Sequence, residues 1–175
     1  MKNKLLNVLT AGLLFLMPNV NYGQAPTLGT AANFVLFTTV GAVTNSGIPH
    51  LTHLTGNVGS NSGSSTGFGN VDGGMHDGDV VSGKAAADLV IAYNQLAAAI
   101  PTFFPSSLLG GGATLPPGVY YIPTAATMNG DLTLDALGNP SAVFIFQIQG
   151  AFSPASLAKV KLANGALACN VFWKV

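Results

Sequence analysis

The chain has 175 residues, and only 7% of them are charged: six aspartates without a glutamate, and six lysines without an arginine. An ordinary globular chain carries roughly 25% charged residues. So sparse a charge leaves no basic stripe for a phosphate backbone, which argues against nucleic acid as a partner, and the single cysteine, Cys169, rules out an intrachain disulfide.

The first segment reads as an export signal. Lys2 and Lys4 give a basic start, residues 5–17 are almost wholly apolar, and Pro18 breaks the run before a small residue at Gly23. The run is too short to remain in a bilayer as a mature helix. The expected division is therefore a signal peptide at 1–23 and one exported domain at 24–175, with no membrane association after cleavage. The mature part keeps four lysines against six aspartates, a net charge of −2.

From residue 25 to about 78 the chain is rich in Gly, Ser, Thr and Asn. Residues 34–37 read as a strand, and 41–47 as a strand running into a turn. Segments this short suit either the coils of a solenoid or a small sandwich. Residues 79–100 differ: Leu89, Tyr93, Leu96 and Ile100 recur at spacings of four, three and four, a helical stripe. Asp79 or Ser82 caps its start, and Pro101 stops it.

Two kinds of strand alternate in the C-terminal half. Residues 119–122, 143–148 and 171–173 are apolar at consecutive positions, which implies burial on both faces. Residues 131–135 and 159–162 instead alternate Leu or Val with Thr, Asp or Lys. A sandwich would show alternation in nearly every strand. A solenoid accounts for both kinds, with one side covered by the helix and others open to water. On that arrangement Leu89, Tyr93 and Leu96 are expected to pack against Phe144, Phe146 and Tyr120, and Cys169 to be a small buried apolar residue.

Several stretches together resemble the family of microbial ice-binding proteins built on a discontinuous right-handed β-helix. They are Leu28-Gly-Thr-Ala-Ala-Asn-Phe34, the segment 78–94 at the helix, Leu115-Pro-Pro-Gly-Val-Tyr120 and Leu132-Thr-Leu-Asp135. Asn139-Pro-Ser-Ala-Val-Phe-Ile-Phe-Gln147 and Ala168-Cys-Asn-Val-Phe-Trp173 complete the set. The resemblance runs through nearly the whole mature chain in the family's order. It implies a mainly β, three-sided discontinuous β-helix with one long helix along a face. It also implies a short chain: members usually continue for several strands beyond the Asn-Val-Phe-Trp segment, so 24–175 is expected to be incomplete at its C-terminus. Many members pair the cysteine of Ala-Cys-Asn, and Tyr121 stands where the partner would be.

Ice adhesion asks for a regular, stiff, weakly charged face. Threonine suits it, because one β-branched side chain with few rotamers supplies both a hydroxyl and a methyl. Strands stacked about 4.7–4.9 Å apart would repeat such anchors at a fixed spacing. Some family members use Thr-Ala/Gly-x-Thr/Asn here, and Thr124-Ala-Ala-Thr127 fits once. The equivalent stretch of the next coil, 151–155, offers only Ser153, and Thr133 stands on a neighbouring open face. Thr124, Thr127, Ser153 and Thr133 are the candidate ice-binding residues. Thr30-Ala-Ala-Asn33 fits the same letters but sits in the opening motif, where a structural turn is expected.

Other chemistries are less well supported. Residues 78–84 match the first seven positions of a phosphate-binding loop, yet Ala85 stands where the Mg²⁺-binding hydroxyl belongs. His50 and His53 are spaced like a metal pair without a third ligand. Asp72, His76, Asp77 and Asp79 lack the alternating oxygen ligands of a calcium loop, so turn and cap roles are expected of them. Asp131 and Asp135 flank one Thr-bearing strand rather than facing one another, as glycoside hydrolysis usually requires. The sequence thus predicts a secreted, monomeric, non-enzymatic antifreeze-type protein for cold adaptation, with the ice crystal surface as partner and no cofactor, metal or catalytic residue. The alternatives are an adhesive cell-surface module of the same fold, binding glycan or protein, and a carbohydrate-active β-helix enzyme.

Overall fold

A computed structural model describes residues 23–48 and 51–175; all of the signal peptide read at 1–23 but its last residue, and His50, lie outside them. Two stacks of parallel strands are separated in sequence by one helix. In the first stack β1 (Phe34–Thr38), β3 (Asn57–Ser60) and β5 (Met75–Asp77) form one sheet, and β2 (Val43–Thr44) pairs with β4 (Ser65–Thr66). β1 and β2 fall in the segments read as strands at 34–37 and 41–47, whereas β3 to β5 are too short and polar to show periodicity in the sequence.

The second stack has three sides. One sheet holds β8 (Gly118–Ile122), β11 (Phe144–Ile148) and β14 (Val171–Lys174). A second holds β6 (Leu108–Gly110), β9 (Ala126–Asn129) and β12 (Phe152–Pro154), and a third holds β7 (Ala113–Leu115), β10 (Asp131–Asp135) and β13 (Lys159–Ala163). Each coil contributes one strand to each side, and every pairing is parallel. That is a three-sided β-helix, discontinuous because the helix intervenes, and not an antiparallel sandwich.

Inside the coils Leu132, Leu134, Ile122, Phe144 and Ile148 are fully enclosed. A column of stacked rings rises through them. Phe103 lies 4.9 Å from Tyr120, Tyr120 lies 5.0 Å from Phe146, and Phe146 lies 4.0 Å from Trp173, with interplanar angles of 18°, 17° and 8°. Register places aromatics at the same strand position in successive coils: Tyr120 beside Phe146, and Phe146 beside Trp173. Burial pushes the Tyr120 phenol pKa up, and its hydroxyl donates to the Pro116 carbonyl.

The helix α1 (Val80–Ala98) forms where expected, but it presents a different face. Its buried residues are Ser82, Ala85, Ala92 and Leu96, whereas Tyr93 is 48% exposed beneath Lys174, and Ile100 is exposed beyond the helix end. Leu96 packs on Val119, Val143 and Ile145, not on Phe144, Phe146 and Tyr120. The reason is strand alternation: the consecutive apolar run serves two cores, with Phe144 and Phe146 turned inward and Ile145 turned to the helix. Small alanines set the close approach, so Leu96 stays on the covered side while Tyr93 turns toward solvent. Cys169 also departs from expectation. It is exposed, because it sits in the short 3-10 turn at Ala168–Asn170 rather than on a strand.

Both ends of α1 are tied down. At the C-terminal end, buried Gln147 donates from Nε2 to the carbonyls of Leu96 at 2.6 Å and Ala99 at 2.8 Å, supplying donors that a helix end lacks. Midway along, Asp88 accepts the Thr30 N–H at 2.7 Å, fastening the opening 3-10 turn, Gly29–Asn33, to the helix. At the start, Asp79 accepts the Ser82 amide at 2.7 Å while its own N–H donates to Ser82 Oγ at 2.9 Å, a reciprocal capping box. The Ser82 amide and the nearby His76 ring hold the Asp79 carboxyl at about 2, below its usual 3.8. A depressed carboxylate stabilises the fold above its unfolded pKa and loses that contribution as pH falls through the folded one. Thermal stability is therefore expected to drop between about pH 4 and pH 2, and Asp79→Asn to flatten that part of the profile. Melting temperature followed by circular dichroism across pH 6 to 2 checks it, and an unchanged slope in the variant would assign the acid loss to other carboxylates.

Candidate functional site

The sheet of β6, β9 and β12 carries a simple inside–outside pattern. Leu109, Ala126 and Met128 point inward and are buried, and Phe152 packs against the same core. The alternate positions point out. Leu108 pairs with Thr127 and Thr127 with Ser153, in one row across three strands, with Gly110 beside Asn129 in the next row. The Ala155 N–H continues the stack by donating to the Met128 carbonyl at 2.8 Å. Leu108, Thr127, Asn129, Ser153 and Ala155 are all exposed. None of these outward side chains is charged or aromatic.

Of the four candidates, the fold brings Thr127 and Ser153 into direct register. Thr124 stands just before β9, exposed, its hydroxyl donating to the Ala125 carbonyl at 3.2 Å. Thr133 lies on a different side. It pairs with Thr114 and Lys161 in the sheet of β7, β10 and β13, where Lys161 Nζ is 2.5 Å from Asp131. That ion pair draws the Asp131 pKa down. Asp135 takes both of its oxygens to the Asn164 amide at 2.9 Å and accepts the Leu137 N–H at 2.8 Å. The two carboxylates weighed for hydrolysis are thus engaged in bonds that hold neighbouring coils together. Sequence reasoning missed Leu108 and Asn129 as outward members of the row, since only register identifies them. A signal for Gln147 was present: it is the one amide inside the apolar run 143–148.

The polar cluster at the helix start resolves into separate pairs. His53 Nε2 is 2.8 Å from Asp72 and His76 Nδ1 is 2.7 Å from Asp79. Asp77 accepts the Ser60 and Ser65 amides and the Ser65 hydroxyl. Burial raises its pKa, but those hydrogen bonds outweigh burial and keep it low. Lys84 of the phosphate-loop match is exposed and 3.8 Å from Asp88.

Residues 37–175 match the family described as ice-binding-like. An ice-binding protein of Nostoc sp. (strain HG1) is 42% identical over 151 residues, covering 85% of this chain and 54% of that protein. The crystal structure of an ice binding protein from an Antarctic bacterium of the Flavobacteriaceae aligns with a TM-score of 0.84 at 60% identity, over 87% of this chain and 35% of that one. That of an ice-binding protein from the ascomycete Antarctomyces psychrotrophicus aligns with a TM-score of 0.80 at 34% identity, over 87% of this chain and 74% of that one. The chain thus spans about half the length of the Nostoc relative and about a third of the Flavobacteriaceae structure.

Proposed function

The chain belongs to the ice-binding-like family, and from that membership we propose that it adsorbs to ice through the sheet of β6, β9 and β12, slowing the growth and recrystallisation of ice crystals. The observation that carries this reading is the uncharged row in which Thr127 and Ser153 stand side by side on adjacent parallel strands. Stacking fixes their spacing at about 4.7–4.9 Å, and the buried Leu109 and Met128 behind them, with the half-buried Phe152, keep the strands stiff. Hydroxyls held this way order water without paying for rotamer freedom at the moment of contact. Thr124 and Asn129 extend the polar surface around the row. No catalytic group is required. All of the contact residues come from one chain, so one copy suffices.

The sheet of β7, β10 and β13 is a poorer surface for ice, because Lys159, Lys161, Asp131 and Asp135 would each retain their own hydration shell there. Export fits the same role. The basic, apolar and small-residue segments of 1–23 read as a cleaved secretory signal, and among the described residues no helix is long and apolar enough to cross a membrane.

Thr127→Lys is expected to raise the concentration needed to halt ice recrystallisation roughly tenfold, equivalent to about 1.4 kcal/mol of adhesion. Thr133→Lys, on the other open side, is expected to leave it unchanged. Recrystallisation assays on the purified chain and both variants, with circular dichroism to verify folding, decide between the two faces. The reverse pattern would move the contact to the β7, β10 and β13 side.

A further inference from the structure

We infer that Leu108 sets the depth of the ice-facing surface among the described residues, leaving hydroxyl anchors on two of the three rungs formed by β6, β9 and β12. The inference rests on the assignment of ice contact to β6, β9 and β12. The first rung of that sheet has two outward positions, Leu108 and Gly110. Gly110 adopts φ +94°, a conformation side chains rarely take, and a Cβ there would run into the Asn129 carbonyl oxygen. No side chain can be presented from it. Leu108 alone therefore decides what the first rung offers to water.

What it offers differs from its partners. The row reads Leu108, Thr127, Ser153, so hydroxyls on two strands are followed by an isobutyl group on the third. Leucine has no hydrogen-bonding group to hold ordered water. Being longer than threonine, it also stands above the plane its neighbours define, a step at the edge of the row.

The fold does not need it. Leu108 is 61% exposed and lies in neither apolar core, whereas its neighbour Leu109, 4% exposed, anchors β6 against the interior. The backbone at this rung is already in register with Thr127. A β-branched hydroxyl residue placed at 108 would add a third anchor to the row with no rearrangement behind it, and β-branched residues suit a strand.

The test is Leu108→Thr in the full chain, with Leu108→Ala as the control that removes the step without adding a hydroxyl. The expected result is that Leu108→Thr halts recrystallisation at a concentration roughly two- to tenfold lower than the parent, the worth of one added hydrogen-bonding group. Leu108→Ala should gain less. Thr127→Lys is measured alongside. If it abolishes activity while Leu108→Thr equals the parent, or equals Leu108→Ala, the inference about Leu108 is overturned and the assignment of the face stands. If Thr127→Lys has no effect, the face itself is misassigned and the inference falls with it. Circular dichroism melts of each variant exclude loss of fold as the cause.

Discussion

Replacing Phe146 with alanine is expected to cost about 3–5 kcal/mol of stability. The side chain is fully buried and sits in the middle of the ring column, 5.0 Å from Tyr120 below and 4.0 Å from Trp173 above. Truncation removes the apolar area of one ring and leaves a void that flanking coils cannot close, because backbone hydrogen bonds on both sides of β11 hold their spacing. It also breaks two stacked pairs, each worth about 0.5–1.5 kcal/mol beyond simple burial. Phe146→Leu, which retains most of the volume, should lose considerably less. Urea denaturation followed by far-ultraviolet circular dichroism measures both. Equal losses in the two variants would mean that ring stacking, and not volume, accounts for this position.

The second large effect is expected at Gln147. Gln147→Leu keeps the shape of a buried side chain but withdraws the amide that serves the carbonyls of Leu96 and Ala99. Each enclosed carbonyl left without a donor costs about 1–3 kcal/mol, so the pair predicts a loss of about 2–6 kcal/mol. At about 2–4 °C per kcal/mol for a domain of this size, the melting temperature should fall by roughly 4–24 °C. Hydrogen exchange would localise the damage: amides in the last two turns of α1 should lose protection before those of β10. A variant as stable as the parent would show that water replaces the amide at no cost. Neither side chain belongs to the outward row proposed to face ice, so activity per folded molecule should survive both.

Much of the fold was legible because apolar runs and alternating runs follow directly from which sides of a coil are covered. The runs at 119–122 and 143–148 gave the helix-side sheet, and 131–135 gave an open one. The helix was legible from its capping aspartate and terminating proline. What the runs could not show was how they divide. In a doubly buried strand, composition alone does not say whether Phe144 or Ile145 faces the helix, and the large side chains were placed on the wrong core. The first stack was legible only at its start, where 34–37 and 41–47 marked β1 and β2; β4 and β5 have two and three residues, too few for a period to appear. The candidate surface was half legible. Thr124 and Thr127 stood out by pattern, and Ser153 by its place in the next coil. Leu108 and Asn129 became visible only through register, since residues adjacent across strands are far apart in sequence.

That register also governs how the gene can change length. Ile122 lies beside Ile148 and Phe146 beside Trp173, neighbours 26 and 27 positions apart along the chain. Losing or gaining one codon within β11 would turn Phe144 and Phe146 out of the ring column and against α1, where Ile145 now packs, whereas duplicating a complete turn would preserve every facing and add another rung to the hydroxyl-bearing side. Selection on such a scaffold therefore admits indels at the corners, or in steps of an entire winding.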